Sequence, residues 1–390
     1  MSRTVAVVTN IPRPYRTALF GTLKQQMAAQ DLRLRVLYTS DPRRHVRRGS
    51  PAATVNDPEV EVFVPGLDLR LAYDHVLPIP TGLGAALGRL DPACVVMGGF
   101  GPSALLTARW CRRNHVPYAV WWGGWPGNEG EIGRLRESVR RRVVRRSAAF
   151  ITYGTAAADY LATLGAPRER IFCAWNTVDL EGIAAAAAAA AARRPELAAK
   201  YGLAAKNLLF VGSLIGRKGV RELTEAALSV DSPHADWALH YTGGGPLARE
   251  LLAATQAAGK AGNFRFHGLR PARDVVELLG LADGFFLPTR EDAWGLVINE
   301  AMACGVPVVV SPLAGATRDL VEDGVTGYVV HPDDIRGMAA LMVQMVSDDP
   351  EPRRIGQAGA AAVRAKASVE KSAEGFMRAV LCALEQRLAR

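Results

Sequence analysis

Cysteine is scarce and scattered: Cys94, Cys111, Cys173, Cys304 and Cys382 are odd in number, far apart and form no CxxC pair. That pattern excludes a disulfide framework and a cysteine zinc site, and a reducing cytoplasm is the expected compartment. Long hydrophobic runs are missing too, none approaching the ~18 consecutive apolar residues that a membrane span needs. The opening MSRTVAVVTNIPRPYR leads straight into a strand-like VAVV, without the apolar segment and cleavage site of a secretory signal, which argues against export. The seven histidines (His45, His75, His115, His234, His240, His267 and His331) make no HxxxH or HExxH cluster, and no aspartates form a DxD motif. Asp333 and Asp334 read as helix caps, so no bound metal is expected. No glycine loop carries GxGxxG with a downstream acid, which argues against a nicotinamide dinucleotide site.

What the 390 residues do contain is a 49% hydrophobic fraction, enough for two cores at ~150 residues per domain. The net charge of +9 is uneven: residues 1–178 carry 24 Lys+Arg against 13 Asp+Glu, and residues 179–390 carry 23 against 25. A basic half meets an anion, such as nucleic acid, a lipid headgroup or a phosphorylated substrate, or it simply keeps the chain soluble. Strand-like runs recur between helical stretches, first as VAVVTN, LRVLYT, ACVVMG, PYAVWW, AFITYG and IFCAW, then as NLLFVG, WALHYTGG, FRFHGL, DGFFLPT, VPVVVS and TGYVVH. Alternation of this kind is the signature of parallel sheets with crossover helices. The expected organisation is an α/β domain over 1–178, a linker with an alanine-rich helix over 179–203, a second α/β domain over 204–370 and a terminal helix over 371–390. Nine consecutive alanines, Ala184 to Ala192, favour helix by propensity and carry no chemistry. In the terminal stretch Phe376, Val380, Leu381 and Leu384 fall at helical spacing.

Open parallel sheets bind ligands outside the carboxyl ends of their strands, so two such domains facing each other would enclose a cleft with one substrate on each wall. The most informative segment is GFFLPTREDAWGLVINEAMACGVPVVVS at 284–311, which reads as strand, short loop, helix, strand. Trp294 and Gly295 open the helix, so free N–H groups and the positive dipole end favour a phosphate there. Asp292 in the loop and Glu300 on the helix are separated by seven residues, and both are able to accept hydrogen bonds from sugar hydroxyls. The plainer alternative is an N-capping aspartate and a surface glutamate. In LLFVGSLIGRKGVRELTEAA at 208–227, Arg217 and Lys218 follow a strand as neighbouring cations suited to a diphosphate, or to an ordinary solvated surface.

The stretch DAWGLVINEAMACGVPVVVS resembles the acid, seven residues, glutamate motif of retaining nucleotide-sugar glycosyltransferases with the GT-B fold, specifically glycosyltransferase family 4. The resemblance implies two facing Rossmann-like domains with a cleft between them. It implies that Glu300 holds the nucleotide ribose and that Asp292, shorter than the usual glutamate, meets donor-sugar hydroxyls. GSLIGRKG resembles the family's diphosphate clamp, with Arg217 and Lys218 as the cations and Gly212 as the glycine that admits the ligand. Gly243 lies in HYTGGGPLARELL, which resembles the glycine turn after the next strand. FRFHGLRPARDVVELL resembles the edge of the nucleobase pocket, where His267 is either a ligand contact or a packed histidine. Ala293, Trp294, Gly295 and Leu296 complete the donor candidates.

In the first half TNIPRPYRTALFGTL at 9–23 resembles the acceptor-side loop, with Asn10 and Arg16 as candidates; a surface arginine is the alternative for Arg16. Gly99 sits in the strand-to-helix turn GGFGPSALL. WWGGWPGNEG at 121–130 gathers indoles suited to sugar faces or to a core, with Trp122 as candidate and Glu129 as the nearest carboxylate. Many relatives carry a histidine at this place, whereas this chain has Trp121, Trp122, Gly123 and Gly124. GRLRESVRRRVVRRSAAF at 133–150 reads as an amphipathic helix with Leu135, Val139 and Val143 on one face and seven arginines largely on others, either solvated or on an anionic membrane. DPRRHVRRGSP at 41–51 is a second basic loop.

The resemblance implies a cytoplasmic or membrane-peripheral, metal-independent enzyme that needs no cofactor beyond its co-substrate. It would move a hexosyl group from a nucleotide diphosphate sugar, UDP-linked by family frequency, to a glycan, a lipid-linked intermediate or a natural product such as an aminocyclitol. Arg217, Lys218 and Asp292 are its catalytic candidates. A GT-B nucleotide-sugar epimerase is the enzymatic alternative. A protein binding nucleic acid or an anionic surface is the alternative from outside enzymology, although no nucleic-acid module is present and the aromatics are not interleaved with the basic runs.

Overall fold

The computed structural model describes residues 2–40, 57–70, 76–129, 133–231 and 236–388. The basic loop at 41–51 lies outside the described residues, as do His45, His75 and His234. The chain divides into two compact units, Met1–Val178 with Val369–Arg390, and Asp179–Ser368.

The first unit contains β1 (Arg3–Thr9), β2 (Leu32–Tyr38), β3 (Glu61–Phe63), β4 (Leu67–Arg70), β5 (Val76–Ile79), β6 (Cys94–Gly98), β7 (Tyr118–Trp122), β8 (Ala149–Thr152) and β9 (Ile171–Cys173). Seven of these form a parallel sheet in the order β3-β2-β1-β6-β7-β8-β9, while β4 and β5 pair antiparallel by themselves. Side chains alternate across a strand, so Val5 and Val7 of β1 enter one apolar cluster while Ala6 and Val8 enter the other. The first cluster is closed by Leu19, Phe20, Leu23 and Met27 of helix Thr17–Ala28 and by Phe376, Val380 and Leu384 of the terminal helix. That terminal helix, expected as a separate segment over 371–390, runs from Val369 to Leu388 and packs on the first sheet, its Phe376 meeting Trp121 edge to face at 5.4 Å. Leu87, Cys111, Val144 and Leu161 close the opposite face.

Helix Arg134–Val144 turns differently from its expected apolar face. Val143 is buried, but Leu135 is 81% exposed, and Arg140 joins Val143 and Val144 on the inward side. Arg140 is drawn in because a carboxylate awaits it there, as described below.

The second unit contains β10 (Lys206–Val211), β11 (Trp237–Thr242), β12 (Phe264–Gly268), β13 (Gly284–Leu287), β14 (Val308–Val310) and β15 (Tyr328–Val329), all parallel in the order β12-β11-β10-β13-β14-β15. The alanine run forms helix Leu180–Ala192, capped by Asp179, whose carboxylate accepts the Gly182 N–H at 3.0 Å. Its lack of bulk has a use: Ala187 and Ala190 are buried, and the Ala187 carbonyl packs directly over Gly280 of helix Ala272–Leu281. A Cβ at Gly280 would overlap that carbonyl, so Gly280→Ala is expected to destabilise this unit by about 1–3 kcal/mol as the helices are forced apart. Chemical denaturation of the variant checks this, and an unchanged midpoint would refute the close packing.

Each sheet has a point where the strand order reverses. The chain runs from β1 out through β2 to β3 and returns to place β6 beside β1; likewise β10 neighbours both β11 and β13. Ligands of open α/β sheets bind outside the carboxyl ends of strands at such points.

Candidate functional site

In the second unit, the loops after β10 and β13 meet at the reversal point. After β10 the chain makes a short 3-10 turn, Gly216–Lys218, which holds both expected cations. The Arg217 carbonyl accepts the Arg290 N–H at 2.8 Å and the Thr289 hydroxyl at 3.1 Å, and the Arg217 guanidinium donates to the Glu291 carbonyl at 3.1 Å. These bonds fasten the cationic turn to the loop that carries Asp292. Lys218 and Asp292 form an ion pair, with side chains 13% and 22% exposed. The second carboxylate oxygen of Asp292 accepts the Trp294 N–H at 3.2 Å. Asp292 therefore orders its own loop and neutralises Lys218 at once.

Helix Leu296–Ala303 begins at Gly295, whose φ of +87° lies in the left-handed region that glycine enters without strain. No side chain caps it, so its first amides are left for a ligand. The Trp294 indole turns inward instead, 3% exposed, and donates to the Asn299 side chain at 2.9 Å. The Trp294 side chain is thus engaged in the interior, and only its backbone is left to face a ligand. Ala293 lies in the same loop, which is pinned beneath by Gly315 N–H to the Asp292 carbonyl at 3.1 Å and Ala316 N–H to the Trp294 carbonyl at 2.8 Å.

Glu300 is half-buried on this helix, and burial pushes its carboxyl up to about 7. Among the described residues no side chain or N–H is hydrogen-bonded to that carboxyl. A carboxyl in such surroundings has acceptor capacity to spare for hydroxyl donors.

Gly212 and Gly243 face each other across the ends of β10 and β11. Gly212 N–H donates to the Thr242 carbonyl at 2.9 Å, and a Cβ on Gly243, at φ +140°, would overlap the Gly212 carbonyl. The glycine at 243 is thus required by backbone packing, which positions Gly212. Of the two readings left open for His267, the structure favours packing. Its Nε2 lies 2.9 Å from His240 Nδ1, while His240 Nε2 donates to Asn207 Oδ1 at 3.0 Å, and Tyr201 packs edge-on at 5.8 Å. Burial, aided by nearby arginines, lowers His240 to about 3 and His267 to about 4, so the pair is neutral.

In the first unit, Asn10 is exposed just beyond β1, and Arg16 precedes helix Thr17–Ala28. Arg16 donates to the Thr9 hydroxyl at 2.9 Å and to the Tyr153 hydroxyl at 2.8 Å, and its guanidinium stacks 4.3 Å over Trp121. Its Nε is buried without a partner, and no carboxylate pairs with it among the described residues. A buried cation with no carboxylate beside it is costly, and here two hydroxyls and the Trp121 ring are what offset that cost. The buried Nε1 atoms of Trp121, Trp122 and Trp125 are likewise unpartnered. Trp122 packs under Phe100 at 5.1 Å and beside Gly99. Glu129 departs from its expected role: both of its oxygens are held by Arg140, which also donates to the Tyr160 hydroxyl at 2.8 Å. It is a structural counter-ion, and an acceptor would have to compete with a guanidinium for it. Tyr153 and Arg140 were not singled out in the sequence; for Tyr153 the signal was its place just past β8.

Among the described residues no three His, Cys, Asp or Glu side chains gather so as to hold a metal ion. Nor is any described helix long and apolar enough to cross a membrane.

Comparison with known proteins bears on both units. Residues 19–176 match the model of a glycosyl transferase 4-like domain, and residues 194–362 match that of glycosyl transferases group 1. The chain is similar to a glycogen synthase of Mycobacterium tuberculosis, 30% identical over 60% of this chain and 54% of that protein. It is also similar to an alpha-D-kanosaminyltransferase of Streptomyces kanamyceticus, 33% identical over 41% of this chain and 42% of that one. The chain thus spans about half the length of these curated relatives. Among solved structures, HepE of Anabaena in complex with UDP and glucose superposes with a TM-score of 0.73 at 15% identity, covering 97% of this chain and 99% of that one, a likeness of fold. With a family model matching each of its two Rossmann-like units, the chain belongs to the GT-B glycosyltransferases of the family 4 type.

Proposed function

We propose that the chain is a retaining, metal-independent hexosyltransferase that takes a nucleotide diphosphate sugar in its second unit and a hydroxyl acceptor in its first. The observation that carries this reading is the joining of three features at one reversal point: the Arg217–Lys218 turn, the uncapped helix at Gly295 and the unpartnered Glu300 carboxyl. A diphosphate fits the first two and a ribose the third. In the reaction the bond from the sugar's anomeric carbon to the β-phosphate oxygen breaks, and a bond to the acceptor oxygen forms. The acceptor proton passes to the departing phosphate oxygen, so no protein base is required. Arg217, Lys218 and the amides following Gly295 supply the positive charge that stabilises the leaving group.

UDP is the favoured nucleotide because the HepE structure holds it, and glucose or a related hexose is the favoured sugar because that structure holds glucose and a curated relative is named a mannosyltransferase. Arg16 favours an acceptor bearing a phosphate or carboxylate, which would complete its missing pair. The test is a product assay with UDP-, GDP- and TDP-hexoses against polyol, sugar-phosphate and lipid-linked acceptors. Acceptor-dependent release of nucleoside diphosphate, with an α-linked product from an α-linked donor, is expected. An isomeric sugar released without acceptor would instead identify an epimerase.

A further inference from the structure

A concavity lies in the first unit, at the end of the sheet opposite the candidate acceptor residues. It measures about 270 Å³ and sits between helix Pro102–Arg113 and helix Arg134–Val144, over Tyr118 at the start of β7. Trp122 closes the same strand, roughly 13 Å further along at ~3.3 Å per residue. Two arginines from each side enclose it, Arg109 and Arg112 from the first helix, and Arg142 and Arg146 from the end of the second, and among the described residues no acid lines it. Its floor is apolar, from Leu105, Tyr118 and Val143.

The contrast with neighbouring arginines is informative. On the same helix Arg140 is paired with Glu129 and Arg141 with Glu137, the latter at 2.7 Å. Among the described residues, the guanidinium groups of Arg109, Arg112, Arg142 and Arg146 have no hydrogen-bond or ion-pair partner. Two helix C-termini point toward this end and offset about half a charge each, leaving a net charge of roughly +3 around one small opening. Like charges gathered about a concavity repel one another unless an anion is present to bridge them.

We propose that this pocket binds a phosphate group carried on an apolar or weakly polar body. Guanidinium forks match phosphate oxygens two at a time, and four of them facing one opening suit the several oxygens of a tetrahedral phosphate, ester or free, better than a single carboxylate. The apolar floor receives the organic part of the ligand. Two sources share this chemistry, the headgroup of an anionic lipid and a soluble phosphate compound. The site is separate from the transferase reading and stands whether or not that reading holds.

The test compares the full chain with two double variants of equal charge change. Arg109→Gln/Arg142→Gln empties the pocket of two cations, and Arg134→Gln/Arg136→Gln removes two exposed cations from the same helix but outside the pocket; all four side chains are exposed, so folding is preserved. Inorganic pyrophosphate binding is followed by calorimetry, and association with phosphatidylcholine vesicles, with and without phosphatidylglycerol, by flotation. Because the second unit is also expected to take up pyrophosphate, the readout is the difference between the variants. The pocket variant is expected to weaken binding about tenfold or more, and the control less than twofold. Selective loss of vesicle association alone assigns a lipid headgroup; selective loss of pyrophosphate binding assigns a soluble phosphate. Equal losses in the two variants would reduce the effect to diffuse surface charge and overturn the proposal. So would a wild-type chain that binds neither pyrophosphate nor phosphatidylglycerol vesicles.

Discussion

Lys218→Ala is expected to lower kcat by about 10²–10³-fold, the usual effect of removing one donor aimed at charge that develops in the transition state. The ammonium is well placed for such a role. It ends the turn after β10, is 13% exposed, and is oriented by Asp292 rather than by bulk water. An ammonium has three N–H donors, so pairing with Asp292 leaves two for diphosphate oxygens. KM should change less than kcat, because the charge on the leaving phosphate grows as the glycosidic bond breaks. Steady-state kinetics with saturating donor measures this. Turnover within a factor of two or three of wild type would remove Lys218 from the chemistry and leave it as the partner of Asp292.

Glu300→Gln should separate stability from binding, because the two depend on the carboxyl in opposite ways. In the folded chain its carboxyl is raised to about 7, against an ordinary value of 4.5. Between these values the folded state retains a proton that the unfolded state has released, so this group's contribution to stability declines as pH rises through that window and levels off above it. Glutamine carries no charge to desolvate. The variant should therefore melt higher than wild type at pH 8 and lose this part of the pH dependence. Donor affinity should fall at the same time by about 10–100-fold, the worth of a charge-assisted hydrogen bond of ~1.5–3 kcal/mol. Calorimetric titration alongside melting curves at pH 5 and pH 8 reads both effects. A variant that is stabilised yet binds donor normally would leave Glu300 as a buried charge without function.

The central strands were legible in the sequence because a strand covered on both faces is written as a continuous β-branched run. VAVV of β1 and VPVVVS around β14 have no other ready interpretation. Edge strand β3 escaped notice because three residues, Glu61–Phe63, are too few to show a pattern, and β4 with β5 form a separate hairpin-like pair outside the main sheet. The place of the terminal helix was hidden for another reason. Spacing identified Phe376, Val380 and Leu384 as one face, but spacing says nothing about which sheet that face covers.

The donor-side candidates were legible to the extent that they lie in contiguous motifs following strands. Arg217, Lys218, Asp292 and Gly295 are each within a few residues of a strand end, and parallel topology gathers such loops automatically. Contacts spanning long separations were not legible. Arg16 reaches Tyr153 across 137 positions, and Glu129 is claimed by Arg140 from the next helix, turning a free-looking carboxylate into a counter-ion. His267 shows the same limitation, since its partner His240 lies on the adjacent strand. The absent histidine near Trp122 also becomes intelligible, because this strand end is filled by indoles and by the ring of Tyr153 packed on Gly123.

A nucleotide-sugar site in the second unit is tested by the melting temperature of the full chain in saturating UDP, GDP or TDP, with a short DNA duplex as control. A ligand at ~100 times its Kd stabilises by about 2.7 kcal/mol, well within reach of a thermal shift. One nucleoside diphosphate, foremost UDP, is expected to raise the melting temperature, and DNA is expected to leave it unchanged. No shift with any nucleoside diphosphate, together with a salt-sensitive shift with DNA, would contradict such a site and leave a glycosyltransferase fold put to another use.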